Sequence, residues 1–93
     1  MSLFSDNLAR LRIQRGRSYT QQRVADAIGV LRSTYSGWEI GTAEPSMSNL
    51  VKLSHYYGIS LDRLTQQNLS RMSDWAFEVA LRVDRERITK KIY

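Results

Sequence analysis

Cysteine is absent from the 93-residue chain, which excludes disulfides, thiolate metal sites and thiol catalysis together. The single histidine, His55, cannot build a zinc site without carboxylate help, so no metal is expected. No run approaches 18 apolar residues, and the N-terminus lacks a basic stretch followed by an apolar core. These absences lead to the expectation of a cytoplasmic protein with no membrane partner. There is one proline, Pro45, and no glycine loop of the kind that cradles phosphate. Asp26, Glu39 and Asp62 each have a structural role open to them, so the chain is expected not to be an enzyme and to need no cofactor. A chain this short excludes a two-domain enzyme and leaves room for one compact domain with an appended element.

The charge that is present has one prevailing sign. Lys and Arg number 14 against 9 Asp and Glu, a net charge of +5. Such a balance suits a polyanionic partner, although a solvated basic surface with no ligand has the same composition.

Glycines mostly fall at the ends of apolar-periodic segments, which is how helices with left-handed stops are written in sequence. Phe4, Leu8 and Leu11 recur at helical spacing and Gly16 ends the run. Thr20 caps a second, short helix with Val24, Ala25 and Ile28 as its buried stripe and Gly29 as its stop. A third segment, Leu31 to Ile40, turns Tyr35, Trp38 and Leu31 inward and closes at Gly41. From Ser46 the residues Met47, Leu50, Val51, Leu53, Ser54 and Tyr57 predict a fourth helix that ends at Gly58. Ser60 caps a short fifth, holding Leu61 and Leu64. No segment alternates with strand period, so the expected fold class is all-α.

A threonine-capped short helix, a glycine turn and a second short helix with one polar face describe a helix-turn-helix. The run Thr20-Gln21-Gln22-Arg23-Val24-Ala25-Asp26-Ala27-Ile28-Gly29-Val30, followed by Arg32-Ser33-Thr34-Tyr35-Ser36-Gly37-Trp38-Glu39-Ile40-Gly41, resembles the Cro/phage-repressor (XRE-type) family. So does Glu44-Pro45-Ser46 leading to Leu50, Leu53 and Tyr57-Gly58-Ile59-Ser60-Leu61-Asp62. The resemblance covers about residues 4–65. It implies a five-helix, lambda-repressor-like domain whose third helix enters the major groove of double-stranded DNA while the second lies across the backbone. By the same resemblance, Thr20 and Gln21 meet phosphate at a helix N-terminus, and Arg32, Ser33, Ser36 and Gly37 face the groove. Arg32 is the leading reader, since its fork can bind guanine O6 and N7 together. Tyr35 and Trp38 are expected in the core. The resemblance also implies an ion pair between Arg12 and Glu39. Three positions depart from the family: the link Arg17-Ser18-Tyr19 is two residues longer, Leu31 replaces a serine or threonine cap, and Gly37 replaces a long polar side chain.

The expected division of the chain is a DNA-binding domain over 1–65 and a C-terminal amphipathic helix within 66–93. Ser70 to Tyr93 has neither glycine nor proline and would span roughly 35 Å as one helix. Met72, Trp75, Ala76, Val79, Ala80 and Val83 make its stripe, broadened by Phe77, Leu81 and Ile88. Glu78 with Arg82 and Glu86 with Lys90 add favourable pairs at four-residue spacing. Met72, Trp75, Val79 and Val83 are the expected dimerisation residues. The implied function is that of a sequence-specific transcriptional regulator, a repressor of prophage or mobile-element type, bound as a homodimer to a pseudo-palindromic operator. The alternative is an antitoxin or other protein-binding regulator whose C-terminal helix holds a partner protein. A third possibility has that helix folding back on its own domain.

Overall fold

The computed structural model describes residues 3–92, with side chains described for 3–87. Helices are α1 (Leu3–Gln14), α2 (Gln21–Ile28), α3 (Arg32–Ile40), α4 (Met47–Tyr57), α5 (Leu61–Gln66) and α6 (Asp74–Ile92), with a 3-10 turn at Leu69–Arg71. No strand occurs among the described residues.

Short-range chemistry sets the helix ends. The hydroxyls of Thr20, Ser46 and Ser60 accept from the amides of Arg23, Asn49 and Arg63, three residues on, and so satisfy first-turn donors of α2, α4 and α5. Gly29 ends α2 at φ 87°, where a Cβ would be strained, and its amide returns to the Ala25 carbonyl at 2.8 Å. This places α3 three residues after α2 ends. The cap of α3 is Leu31, which makes no side-chain capping bond. Leu31 is not inward as its spacing suggested: it is 73% exposed, because it sits in extended backbone before the first turn.

One core runs through the molecule. Leu8, Leu11, Val24, Ala25, Ile28, Tyr35, Trp38, Leu53, Tyr57, Ile59 and Leu64 form it, and Leu69 and Phe77 are buried in the same cluster. The core therefore crosses the line between residues 65 and 66. α1 packs on α3, α5 and the 3-10 turn, and α2 packs on α3 and α4.

The stretch before α6 does not continue the helix, which corrects the expectation of one helix from Ser70. Two residues of α1 hold it in another conformation. Buried Asn7 donates to the carbonyls of Leu64 and Gln67 at 2.9 and 2.6 Å and accepts from the Leu69 amide at 2.8 Å. Arg10 donates to the carbonyls of Leu69, Ser70 and Met72, to the Asp74 carboxylate, and lies 4.5 Å from the centre of the Phe77 ring. With its carbonyls turned to Arg10, the chain makes only a single 3-10 turn there, closed by the Met72 amide on the Leu69 carbonyl at 3.2 Å, and α6 restarts at the Ser73 hydroxyl, which accepts from the Ala76 amide.

α6 then turns one face inward. Phe77, Ala80 and Asp84 are buried and Leu81 packs on the core, whereas Trp75 and Val83 are exposed. Full burial of Phe77 alone contributes roughly 2–3 kcal/mol to docking. Asp84 accepts from Arg63 Nε at 2.7 Å and from the Ser60 amide at 3.1 Å, joining α6 to the start of α5. Ile88, Lys90 and Tyr93 lie outside the residues whose side chains are described.

Candidate nucleic-acid interface

The end of α1, the start of α2 and the start of α3 converge on one open cleft of about 460 Å³. Arg12, Ile13, Gly16, Arg17, Thr20, Gln21, Gln22 and Arg32 line it. Arg17, Arg32 and a helix N-terminus therefore share one concavity with Arg12, whose charge is answered by Glu39, an arrangement that attracts an extended anion. The link from α1 to α2 is held by its own aromatic residue. Tyr19 has the Arg15 guanidinium 5.5 Å and the Arg23 guanidinium 4.1 Å from its ring centre, and its carbonyl accepts from Arg12 at 3.1 Å.

Beneath the cleft lies a buried polar network. Arg12 Nε and Nη2 donate to the two oxygens of Glu39 at 2.7 and 3.0 Å, a bidentate pair joining α1 to α3. Gln21 Nε2 donates to Glu39 Oε1 at 3.2 Å, bringing α2 into the same network. The hydroxyls of Tyr35 and Tyr57 are 2.9 Å apart and buried. Burial opposes the charge on Glu39, but hydrogen bonds from Arg12, Tyr35 and Gln21 outweigh it and hold its carboxyl below the ordinary carboxylate range. The hydrogen bond to Glu39 raises Arg12 further above its usual value despite desolvation. Burial, first of all, pushes both phenols above the usual tyrosine range.

These directions set a pH window. A carboxylate lowered by folding stabilises the fold above its unfolded value near pH ~4.3, and that contribution is lost as pH falls through the folded value. A phenol raised by folding contributes up to the unfolded value near pH ~10, and stability falls as pH rises beyond it. The thermal midpoint is expected to fall on both sides, with Tyr57→Phe shallowing the alkaline limb only. An alkaline limb unchanged in that variant would show that the buried phenols do not carry it.

Helix α3 supplies the exposed edge of the cleft. Arg32 and Ser33 are exposed in its first turn and Ser36 is half-buried one turn later. A helix of nine residues, three residues past a capped helix, with an arginine at its exposed N-terminus, is the geometry of a recognition helix. The Helix-turn-helix family model matches residues 8–64, more than half of the chain. The chain belongs to the XRE-type helix-turn-helix family.

This helix-turn-helix protein is similar to the SPbeta prophage-derived HTH-type transcriptional regulator YonR of Bacillus subtilis, 44% identical over 67% of the chain and 56% of YonR. It is 39% identical to the HTH-type transcriptional regulator YqaE of Bacillus subtilis, over 67% of the chain and 52% of YqaE. To the cryptic phage CTXphi transcriptional repressor RstR of Vibrio cholerae it is 31% identical, over 77% of the chain and 63% of RstR. The chain thus spans about half to three-fifths of the length of these relatives. No solved structure matches it significantly. Residues 8–64 form a helix-turn-helix domain, and the relatives matched over it are named as transcriptional regulators. No helix among the described residues is long and apolar enough to cross a membrane.

Within this helix-turn-helix, the residues singled out in sequence take different positions. Arg32, Thr20 and Gln21 meet at the cleft. The Thr20 hydroxyl is engaged as the cap of α2, and the Gln21 amide is turned to Glu39. What α2 offers an anion is therefore chiefly its first-turn backbone amides. Gly37 borders the loop after α3: a Cβ there would meet Thr42 Oγ1 at 3.3 Å and Ala43 Cβ at 3.6 Å. Its carbonyl accepts from the amides of Gly41, Thr42 and Ala43 and closes the helix. Met72 packs against the protein's own core, while Trp75 and Val83 are exposed and Val79 is half-buried. Arg17 was overlooked as a site residue. Its positive charge in the lengthened link, directly after the glycine stop of α1, was the available signal.

Proposed function

We propose that this protein is a sequence-specific repressor of prophage or mobile-element type that acts in the cytoplasm and binds a pseudo-palindromic operator as a homodimer. The observation that carries the reading is the cleft where Arg32, at the exposed start of α3, stands beside Arg12, Arg17 and the N-terminus of α2. Major-groove entry of α3 sets the Arg32 fork against base edges while the α2 amides and Arg17 meet the adjoining phosphates. The repressor RstR and the prophage-derived YonR, similar over the helix-turn-helix, support the phage-type reading.

Selection of bound duplexes from a random pool identifies the operator, and two variants then separate the roles. Arg32→Ala is expected to relax preference at one or two base pairs per half-site, a loss of about 1–3 kcal/mol in discrimination. Arg17→Ala is expected to weaken all sequences alike and to reduce the slope of log affinity against log salt by about 0.9 per subunit. Sequence preference unchanged by Arg32→Ala would remove the residue from base reading. Failure of the selection to enrich any sequence would overturn the proposed function.

A further inference from the structure

The fold leaves a short apolar stripe of α6, set among charged residues, uncovered. Phe77, Ala80 and Asp84 define the inward side of the helix, and the Asp84–Arg63 pair prevents it from rolling. Away from that side Trp75, Val79 and Val83 follow one another at four-residue steps along the helix, with the exposed Arg82 and Glu86 beside them. Trp75 is 77% exposed and Val83 39%. An indole this open on a docked helix is a surface that still has area to bury.

The charges beside this stripe choose its cover. Glu78 and Arg82 are both exposed and occupy the same flank, with the acid toward the N-terminus and the base toward the C-terminus. In an antiparallel pair of identical helices, a two-fold axis through Val79 brings residue 75 of one copy opposite residue 83 of the other. The same axis brings Glu78 near Arg82 of the second copy, twice over. Large meets small and acid meets base in one register. A parallel pair instead stacks Trp75 on Trp75 and sets the charged flank against the flank of Ala76 and Val83, where no opposite charge answers it. Flanking charges of this kind set orientation in paired helices, and a two-fold interface must be complementary to itself.

We infer that the Trp75, Val79 and Val83 face of α6 is an antiparallel interface with a second copy of this chain, centred on Val79 and closed at its edges by Glu78 and Arg82. The inference deepens the homodimeric reading above and rests on it. Because Arg10 and Arg63 hold α6 to the DNA-binding domain, the interface also fixes the mutual orientation of the two α3 helices. A stiff connection of that kind makes operator binding sensitive to half-site spacing.

The absence of cysteine gives a direct test, made without DNA. Val79→Cys, Trp75→Cys and Val83→Cys all change outward positions and leave the core intact, and each variant is checked for the parent's helical signal. Under mild oxidation Val79→Cys is expected to form a covalent dimer. Trp75→Cys mixed with Val83→Cys is expected to cross-link more than either variant alone, since a disulfide requires Cα atoms within roughly 7 Å. In parallel, Trp75→Ala is expected to raise the self-dissociation constant measured by sedimentation about thirty-fold. Cross-linking of Trp75→Cys to itself as the dominant product would overturn the antiparallel register while leaving the homodimer standing. A parent chain that sediments as a monomer at tens of micromolar would overturn both, and DNA selection with Arg32→Ala would still judge the regulator reading by itself.

Discussion

Glu39→Gln is expected to destabilise the protein by about 3–5 kcal/mol, because it leaves the Arg12 guanidinium beneath the cleft without its counter-charge. In the parent, the side chain of Glu39 is 5% exposed and that of Arg12 19%, so water replaces little of what the pair supplies. Three helices meet at this carboxylate, through Arg12 of α1, Gln21 of α2 and Glu39 of α3. For a domain of this size each kcal/mol shifts the thermal midpoint by about 4–8 °C, so the variant should melt well over ten degrees below the parent. A shift within about 2 °C would show that the pair contributes nothing net. The double variant Arg12→Met with Glu39→Met should recover much of the loss, since matched apolar groups avoid the cost of desolvating two charges. DNA binding should suffer more than stability in that double variant, because Arg12 also lines the cleft.

The second large effect is expected at the joint between α5 and α6, and it is asymmetric. Asp84 has a fully buried side chain and accepts from Arg63 and from the Ser60 amide, whereas Arg63 remains 19% exposed. Removing the arginine strands a buried carboxylate. Arg63→Met is therefore expected to cost about 3–5 kcal/mol, while Asp84→Asn, whose orphaned guanidinium can reach water, should cost about 2 kcal/mol. Both should loosen α6 before the rest of the domain, seen as faster amide exchange over 77–84 than over α2 and α3. Equal costs for the two variants would contradict the burial difference on which the asymmetry rests.

The consequences for function differ between these two sites. Loss of the Arg12–Glu39 pair disturbs the cleft itself. Loss of the Asp84–Arg63 pair leaves the cleft in place and frees the helix that carries Trp75 and Val83. On the proposed homodimeric reading, affinity for a single half-site should therefore survive Asp84→Asn, and the advantage of a properly spaced operator should shrink.

Sequence by itself determined what depends on neighbours a few residues away. The caps of α2, α4 and α5 are bonds across three positions, and the stops at Gly29, Gly41 and Gly58 rest on backbone angles that disfavour a Cβ. Such features are written beside the residues they act on. The buried stripe of α2 and the inward Tyr35 and Trp38 of α3 were legible for the same reason, whereas Leu31, expected inward with them, lies before the first turn and is exposed. Contacts between distant residues were decided by the tertiary structure. Asn7 and Arg10 reach 57 to 64 positions along the chain, and nothing around them in sequence distinguishes a clamp from a solvated polar face. Their demand for the carbonyls of residues 64–72 is what breaks the helical path that composition favoured before α6. The inward face of α6 was undecided for a different reason. Trp75, Ala76, Phe77, Val79, Ala80, Leu81 and Val83 surround most of the helix, so periodicity admits several faces, and the buried Asp84–Arg63 pair with Phe77 in the core selects one.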